Sequence, residues 1–286
     1  MDQLDKSSLD EIIDVMKRQE KADYITKSGI YDQSTAIDGY YRRLMITWCK
    51  VITETCDYDD RTVAIAINIL DRFVAKQPKI LNDDTANNKY QLAAMTCLYI
   101  TVKIHEKTVL DLPTMEKLSR GSFSSDKFKE MELEILTTLN WRVNPPTAFS
   151  FSDMYLELLP ASMMDQSKRK IIRKLVKHQI NYTIEDCRFL GMASSELAFA
   201  ATYNATMVTI DQNTRLKAYK EVQRVVNISI LPFQLERELW SIIHSNKSLL
   251  GKVSFNNIPS KSRLEKSITK SFTKRCHSPH FIALSQ

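Results

Sequence analysis

Apolar residues return along this chain with the spacing of amphipathic helices. The first such stripe comprises Leu9, Ile12, Ile13 and Met16. Ser8 and Glu11 form a capping-box pattern at its start, in which each side chain satisfies a backbone N–H group of the first turn. Further stripes with intervals of three and four residues begin at Tyr41, Val63 and Phe128. This period is that of one helix face, so the sequence predicts a succession of helices.

Two segments are apolar on almost every side of the helix that they predict. One spans residues 92–102 and contains the small residues Ala93, Ala94 and Cys97, and the other spans residues 197–203. A helix that is apolar all round belongs at the centre of a domain. Similar amphipathic stripes surround each segment. We therefore expect an all-α protein with two tandem units, each of about five helices around one buried helix.

Composition narrows the possible classes of function. The chain has only five glycines among 286 residues, well below the average usage of roughly 7%, and this shortage of turn formers disfavours an all-β fold. It contains neither a Gly-x-Gly-x-x-Gly fingerprint nor a phosphate loop, so nucleotide chemistry lacks its usual support. The five histidines have no metal-ligand spacing, and no nucleophile elbow occurs. We expect no catalytic site, no metal and no other cofactor.

The cysteines and the N-terminus are typical of an intracellular protein. The five cysteines are widely spaced without a Cys-x-x-Cys pair, and Cys49 and Cys97 lie within apolar helical patterns. This usage predicts reduced thiols, and for these two residues a place in the core. The first residues are acidic and have no apolar region, so secretion is not expected. Without an apolar run of about 20 residues, a membrane span is not expected either.

The formal net charge of +6 resides at the C-terminal end of the chain. Residues 251–286 contain five lysines, two arginines and one glutamate, whereas the rest of the chain is balanced. The segment is rich in Ser and Thr and has no sustained apolar period, which predicts a disordered basic tail over residues 247–286. Such a tail can bind an acidic partner, or it can simply solvate the protein. Ser278, which precedes Pro279, is a candidate phosphorylation site.

Several short motifs occur in an order that resembles the cyclin box. They are RRLMITW at residues 42–48, INILDRF at 67–73, the stretch 89–103, MELEIL at 131–136 and LNW at 139–141. The similarity extends over residues 39 to about 147, and more weakly to about residue 246. The single motifs are short, but their joint order is specific and agrees with the two helical units expected from the apolar pattern.

The resemblance implies two tandem five-helix cyclin folds. The first, the cyclin box, is expected over residues 39–146, and the second over residues 147–246. An N-terminal segment, residues 1–38, carries the capped helix, which cyclins pack on the box. The basic tail follows the second fold.

The resemblance also implies a function without catalysis. Cyclins are regulatory subunits that bind and activate cyclin-dependent kinases by docking the αC helix of the kinase. The two signature polar residues of the family fall on Lys103 and Glu132, which are expected to hydrogen-bond the kinase backbone. Such charge-assisted hydrogen bonds are the stronger kind. The alternative is that Lys103 is a solvated cation at a helix end and Glu132 a surface acid.

Two further sets of residues are implied by the same family pattern. Arg42 and Asp71 occupy positions that form a structural ion pair inside the cyclin fold. The patch to which kinase substrates and inhibitors dock falls on Tyr41, Leu44, Met45 and Trp48. Tyr41, Arg43 and Met45 depart from the usual Met-Arg-Ala-Ile-Leu form, and Arg43 could repel cationic peptides. The alternative is that the apolar members are simply core residues at helical spacing.

The alternative hypotheses assume a helical fold of this kind but a different partner, or no kinase partner. Proteins similar to transcription factor IIB use tandem cyclin folds to bind DNA, and Lys168, Arg169, Lys170, Arg173, Lys174 and Lys177 could contact phosphate. A solvated helix face is the commoner explanation of such a run, so nucleic acid is not the expected partner. A transcription-type cyclin and a scaffold without a kinase are the other rivals. We expect a cell-cycle cyclin of the nucleus, the cytoplasm or both.

Overall fold

Helices make up all the regular secondary structure that is described. The structure is a computed structural model, and it describes residues 6–31, 37–81, 85–160 and 165–210 with a few positions between 219 and 242. Within these ranges lie nine α-helices, several single turns of 3-10 or π-helix, and no β-strand. The all-α class expected from the sequence is therefore confirmed.

The nine helices are numbered here in chain order. They are α1 (Lys6–Gln19), α2 (Gly39–Cys56), α3 (Arg61–Lys76), α4 (Ala86–His105), α5 (Leu112–Leu118), α6 (Ser125–Thr138), α7 (Ala148–Leu158), α8 (Gln166–Glu185) and α9 (Ser194–Thr209). Because α1 already begins at Lys6, Ser8 lies inside its first turn. The capping box predicted at Ser8 and Glu11 is therefore wrong.

The described residues divide into two compact units. One unit contains the described residues of Gly29–Asn144, with helices α2 to α6. The other unit contains the described residues of Met1–Ser28 and of Pro145–Val253. Helix α1 is grouped with α7 to α9. The expectation that it packs on the cyclin box stays a prediction. The predicted domain boundaries stay predictions. The predicted basic tail lies outside the described residues.

Short polar side chains fix where many of these helices begin. Asp38 accepts hydrogen bonds from two backbone N–H groups at the start of α2. Asp111, Ser124, Thr147 and Asp165 each accept one at the starts of α5, α6, α7 and α8. The first N–H groups of a helix have no acceptor within the helix, and a short polar side chain at the N-cap supplies one.

Helix α4 is the central helix of its unit. Every residue from Leu92 to Val102 is buried, because α2, α3 and α6 all pack on it. The side chains of Ala93, Ala94 and Cys97 are small, so the neighbouring helices can approach α4 closely. The buried helix predicted over residues 92–102 is confirmed.

Helix α9 has the same place in the other unit. Helices α7 and α8 pack on it, and residues 197–202 are buried. Gln179 of α8 is also fully buried, and its side-chain amide donates a hydrogen bond of 2.9 Å to the carbonyl oxygen of Ala201. The second buried helix predicted from the sequence is thus confirmed over most of its length.

A π-helical turn after α1 places a carboxylate at the start of α9. The turn spans Glu20–Tyr24, and Glu20 is only 3% exposed. Its side chain accepts hydrogen bonds from the backbone N–H of Ser195 at 2.9 Å and from the Ser195 hydroxyl at 2.6 Å. Burial raises the pKa of Glu20, although the hydrogen bonds from Ser195 act in the opposite direction. This contact, together with packing on α7, holds α1 in its unit.

Candidate functional site

Arg42 and Asp71 form a buried ion pair between α2 and α3. Arg42 donates from Nε to Asp71 Oδ1 at 2.9 Å and from Nη2 to Oδ2 at 2.7 Å. The two side chains are only 2% and 4% exposed. Burial by itself would lower the pKa of Arg42, but the charge and hydrogen bonds of Asp71 raise it above its ordinary value. Arg42 therefore stays charged, and the bidentate pair fixes one helix against the other.

Two tyrosines complete this buried cluster. The Tyr31 hydroxyl donates a hydrogen bond of 2.8 Å to Asp71 Oδ1, and the hydroxyl of Tyr90 on α4 donates to that of Tyr31 at 3.3 Å. The Arg42 guanidinium lies 5.6 Å from the centre of the Tyr31 ring. Burial, and then the charge of Asp71, raises the pKa of Tyr31, so its hydroxyl remains a donor. The cluster is inaccessible to a partner and stabilises the fold.

Lys103 and Glu132 form a second ion pair, which reaches the surface. Lys103 lies in the last turn of α4, and Glu132 lies on α6, which packs against α4. The distance from Lys103 Nζ to Glu132 Oε1 is 2.8 Å, with the side chains 42% and 17% exposed. The structure thus brings together the two polar residues that the family pattern singled out.

The surroundings of Lys103 favour its charged form. Its Nζ lies 4.9 Å from the centre of the Tyr99 ring, one helical turn earlier on α4. Partial burial lowers the pKa of Lys103, but the hydrogen bond and charge of Glu132 outweigh this and raise it. A cation in the last turn of a helix also interacts favourably with the helix dipole. The pair therefore presents one firmly charged donor and one acceptor, both reachable from solvent.

Exposed apolar side chains adjoin this pair in the sequence. Ile104 and Leu133 directly follow Lys103 and Glu132, and they are 50% and 58% exposed. Trp141, three residues beyond α6, is 66% exposed and has a left-handed backbone with φ of 61°, an uncommon conformation for a bulky residue. Its backbone N–H donates to the carbonyl of Leu136 at 2.8 Å. No sequence motif identifies these three residues as site candidates, because only the fold reveals their exposure.

Glu106, directly after α4, contacts the start of α3. One of its carboxylate oxygens accepts hydrogen bonds from the backbone N–H of Asp59, at 2.9 Å, and from the hydroxyl of Thr62. Thr62 is buried and lies in the first turn of α3. No sequence motif singles out the segment that follows Lys103. Its glutamate links the end of one helix to the beginning of another.

The predicted docking patch lies on α2 with unequal exposure of its members. Tyr41, Leu44 and Trp48 are half-buried, whereas Met45 is buried. Arg43, between the first two, is exposed. Three half-buried apolar side chains at intervals of three and four residues leave an apolar strip on the surface. Met45 contributes to the core instead, which was the alternative considered for it.

The basic run on α8 is partly neutralised by acids of α7. Arg169 lies 3.1 Å from a carboxylate oxygen of Glu157, and Arg173 lies 3.4 Å from the same oxygen. Arg173 also lies 3.9 Å from Asp153. These contacts explain the two arginines of the run without any nucleic acid.

The remaining features considered in the sequence are metal ligands, the cysteines, a membrane span and Ser278. Among the described residues, no group of three or more His, Cys, Asp and Glu side chains could hold a metal ion. Cys49 and Cys97 are buried as predicted, and burial raises the pKa of the Cys49 thiol to about 12. In the described part of the chain, no helix is long and apolar enough to span a membrane. Ser278 lies outside the described residues.

Comparisons with known proteins agree with this architecture. The model of the family described as "Cyclin, N-terminal domain" matches residues 11–144, a range that includes both ion pairs. The G1/S-specific cyclin-D1 of Danio rerio is 28% identical over 160 residues, which are 55% of this chain and 51% of that protein. The chain contains a cyclin N-terminal domain at residues 11–144. It spans about half the length of the cyclin-D1 relatives that it matches.

Two further relatives extend the comparison. The G1/S-specific cyclin-D2 of Rattus norvegicus is 27% identical over 185 residues, covering 64% of this chain and 60% of that protein. The X-ray structure of a viral cyclin from herpesvirus saimiri has a TM-score of 0.64 at 15% identity. It covers 84% of this chain and all of the viral chain, so the shared fold extends well beyond the family model.

Proposed function

We propose that this protein is a cyclin, which binds and activates a cyclin-dependent kinase through the surface around Lys103 and Glu132. The observation that carries the proposal is the exposed ion pair at the end of α4 and on α6. Ile104 and Leu133, the next residues along α4 and α6, are also exposed and add apolar area to the surface. A charged donor and acceptor flanked by apolar groups suits a helix of the kinase that offers both backbone groups and an apolar face.

An exposed ion pair is suited to exchanging its partners. Pairs of this kind contribute at most about 1 kcal/mol to stability, so separating them costs little. When the kinase docks, Lys103 is proposed to donate to a backbone carbonyl of the kinase, and Glu132 to accept from a backbone N–H. Because both are charged, these hydrogen bonds are stronger than neutral ones. The energy of the new contacts then favours one position of the αC helix.

The proposed consequence of docking lies inside the kinase. A correctly placed αC helix completes the Lys–Glu ion pair of the kinase active site, and activation further requires an ordered activation loop. The cyclin itself contributes no catalytic group in this scheme. We propose a cell-cycle role on the similarity to G1/S-specific cyclins, with the protein in the nucleus, the cytoplasm or both.

The apolar strip of α2 is proposed to contribute to substrate choice. Tyr41, Leu44 and Trp48 are half-buried and so offer apolar area to a docking segment of a substrate or inhibitor. The exposed cation Arg43 within this strip disfavours peptides with a basic residue at the facing position. The proposal includes two cyclin folds, at residues 39–146 and 147–246. It also includes a basic tail in which Ser278 is a phosphorylation site.

The test is reconstitution with a panel of purified cyclin-dependent kinases. The full chain is mixed with each kinase, and co-elution and phosphorylation of a protein substrate are measured. We expect one or more kinases to be activated, and the double variant Lys103→Ala/Glu132→Ala to lose most of that activation. The matched control is Lys107→Ala/Glu134→Ala, which removes one exposed cation and one exposed acid nearby.

Other outcomes would contradict the proposal or redirect it. Equal loss of activation in both double variants would show that the contact is not specific to the Lys103–Glu132 pair. If no kinase co-elutes, and the chain instead binds DNA with a steep dependence on salt, a function like that of transcription factor IIB is favoured. Activation restricted to kinases that act on RNA polymerase would indicate a transcription-type cyclin.

A further inference from the structure

The segment after α4 carries a contact that the proposed kinase surface does not itself require. Glu106 is the C-cap residue of α4, and its backbone N–H donates to the carbonyl of Val102 at 3.0 Å. Lys103 lies three residues before it, in the last turn of the same helix. Any contact that fixes Glu106 therefore restrains the backbone that carries Lys103.

The partner of Glu106 is the start of α3. The first N–H groups of a helix need acceptors from outside the helix, and a negative charge is favourable there. Asp59 accepts from the N–H of Arg61 at 2.8 Å, while Glu106 accepts from the N–H of Asp59 at 2.9 Å and from the Thr62 hydroxyl. A carboxylate that is distant in sequence thus binds the residue before the N-cap of α3 and a side chain of its first turn.

The last turn of α4 is consequently held on two sides. Lys103 joins it to α6 through Glu132, and Glu106 joins it to α3 through Thr62. Docking of a kinase would exchange the first contact for new hydrogen bonds. The second contact involves neither Lys103 nor Glu132 and can persist throughout.

We propose that Glu106 is a positioning residue, which holds the end of α4 on the start of α3 so that Lys103 points at its partner before and after docking. This inference rests on the proposed function for its consequence in kinase activation. The geometric part, that Glu106 controls the position of Lys103, stands independently of any kinase.

The first experiment needs no kinase. The lysine reactivity of the full-length wild-type chain and of Glu106→Ala, Glu106→Gln and Thr62→Val is mapped by limited acetylation and mass spectrometry. We expect acetylation of Lys103 to rise about two- to fivefold in Glu106→Ala. The reason is that weakening the exposed Lys103–Glu132 ion pair makes the lysine amine more accessible. Glu106→Gln keeps an acceptor oxygen and should remain close to wild type. Thr62→Val removes one of the two donors and should fall between them.

The second experiment measures kinase binding by the same variants. Glu106→Ala should bind a responsive kinase roughly tenfold more weakly, because Lys103 is no longer held in position for its charge-assisted hydrogen bond to the kinase. Glu106→Gln should restore most of the binding. Glu54→Ala, which removes an exposed carboxylate on α2, is the matched control and should bind like wild type. Thermal unfolding of each variant identifies any that is simply unfolded, and Thr62→Val then replaces it.

The outcomes separate this inference from the proposed function. If no kinase binds the wild-type chain, the proposed function fails, and Lys103 acetylation still decides whether Glu106 positions that residue. Unchanged Lys103 acetylation in a folded Glu106→Ala variant would overturn the inference. So would equal impairment of Glu106→Ala and Glu106→Gln, since the hydrogen-bond acceptor would then not matter.

Discussion

The two ion pairs of the unit that contains α2 to α6 have the same sequence separation and similar distances, but they differ in exposure to solvent. Arg42–Asp71 and Lys103–Glu132 each join residues 29 positions apart, with closest distances of 2.7 and 2.8 Å. The first pair is 2% and 4% exposed, whereas the second is 42% and 17% exposed. Arg42 engages both carboxylate oxygens of Asp71, and Lys103 engages one oxygen of Glu132.

This difference separates a contact that maintains the fold from one that can be exchanged. A buried pair leaves a charge stranded in the core when one partner is lost, so it must persist. An exposed pair can be replaced by water or by a protein partner at little cost. Burial, more than distance or charge, therefore assigns Arg42–Asp71 to stability and makes Lys103–Glu132 available for binding.

The largest predicted effect concerns the buried pair. Asp71→Ala should lower the free energy of unfolding by about 3–5 kcal/mol, because it leaves Arg42 charged and without its carboxylate in the core. Urea unfolding of the full chain, followed by circular dichroism, measures this. The Lys103→Ala/Glu132→Ala variant is the comparison and should lose under about 1 kcal/mol. Similar losses in the two variants would refute the distinction drawn from burial.

Tyr31 offers a smaller and more selective change to the same cluster. Tyr31→Phe removes the hydroxyl that donates to Asp71 and keeps the ring beside Arg42. A hydrogen bond to a charged acceptor contributes about 2 kcal/mol, and we expect a loss of that size in urea unfolding. In the double variant with Asp71→Ala, the loss from Tyr31→Phe should largely vanish. Additive losses would mean that the two residues stabilise the protein independently.

Much of this architecture follows from local pattern in the sequence. The apolar runs at 92–102 and 197–203 predicted the two central helices, since a helix surrounded by others has no need of a polar face. The capping-box prediction, which was wrong, also came from a local sequence pattern. The Ser8 capping box fits the sequence rule, but the structure begins α1 at Lys6, and sequence signals place helix ends only within a few residues.

Contacts between distant segments could not be predicted in the same way. Glu106 and Thr62 are 44 residues apart, and Glu20 and Ser195 are 175 apart. No periodicity connects such residues, because tertiary packing alone brings them together. The family resemblance pointed to Lys103 and Glu132, but their exposure relative to Arg42 and Asp71 became visible only in the folded chain.

The other unit contains a buried acid on which the role of burial can be tested by pH. The pKa of Glu20 is raised above its ordinary value of 4.5 by burial. Its contribution to stability is therefore fully present below about pH 4.5 and declines as the pH rises through the raised pKa. Glu20→Gln does not titrate there. The stability of wild type relative to Glu20→Gln should increase as the pH is lowered from 7 towards 4.5.

Urea unfolding at several pH values measures this difference. Glu196, whose charge also raises the pKa of Glu20, provides the matched variant Glu196→Gln, which should reduce the pH dependence without abolishing it. A constant difference between wild type and Glu20→Gln across this range would show that Glu20 titrates normally despite its burial.

The smallest predicted effect completes the comparison between the two pairs. Glu132→Ala should cost under about 1 kcal/mol of unfolding free energy at low salt, and still less at high salt, because ions screen exposed charges. Asp71→Ala should show little dependence on salt, since its charges are shielded from solvent. Urea unfolding of both variants at about 0.05 M and about 1 M sodium chloride tests this. A salt-independent cost for Glu132→Ala would mean that the exposed pair behaves like the buried one, and that exchanging it for a kinase contact would not be cheap.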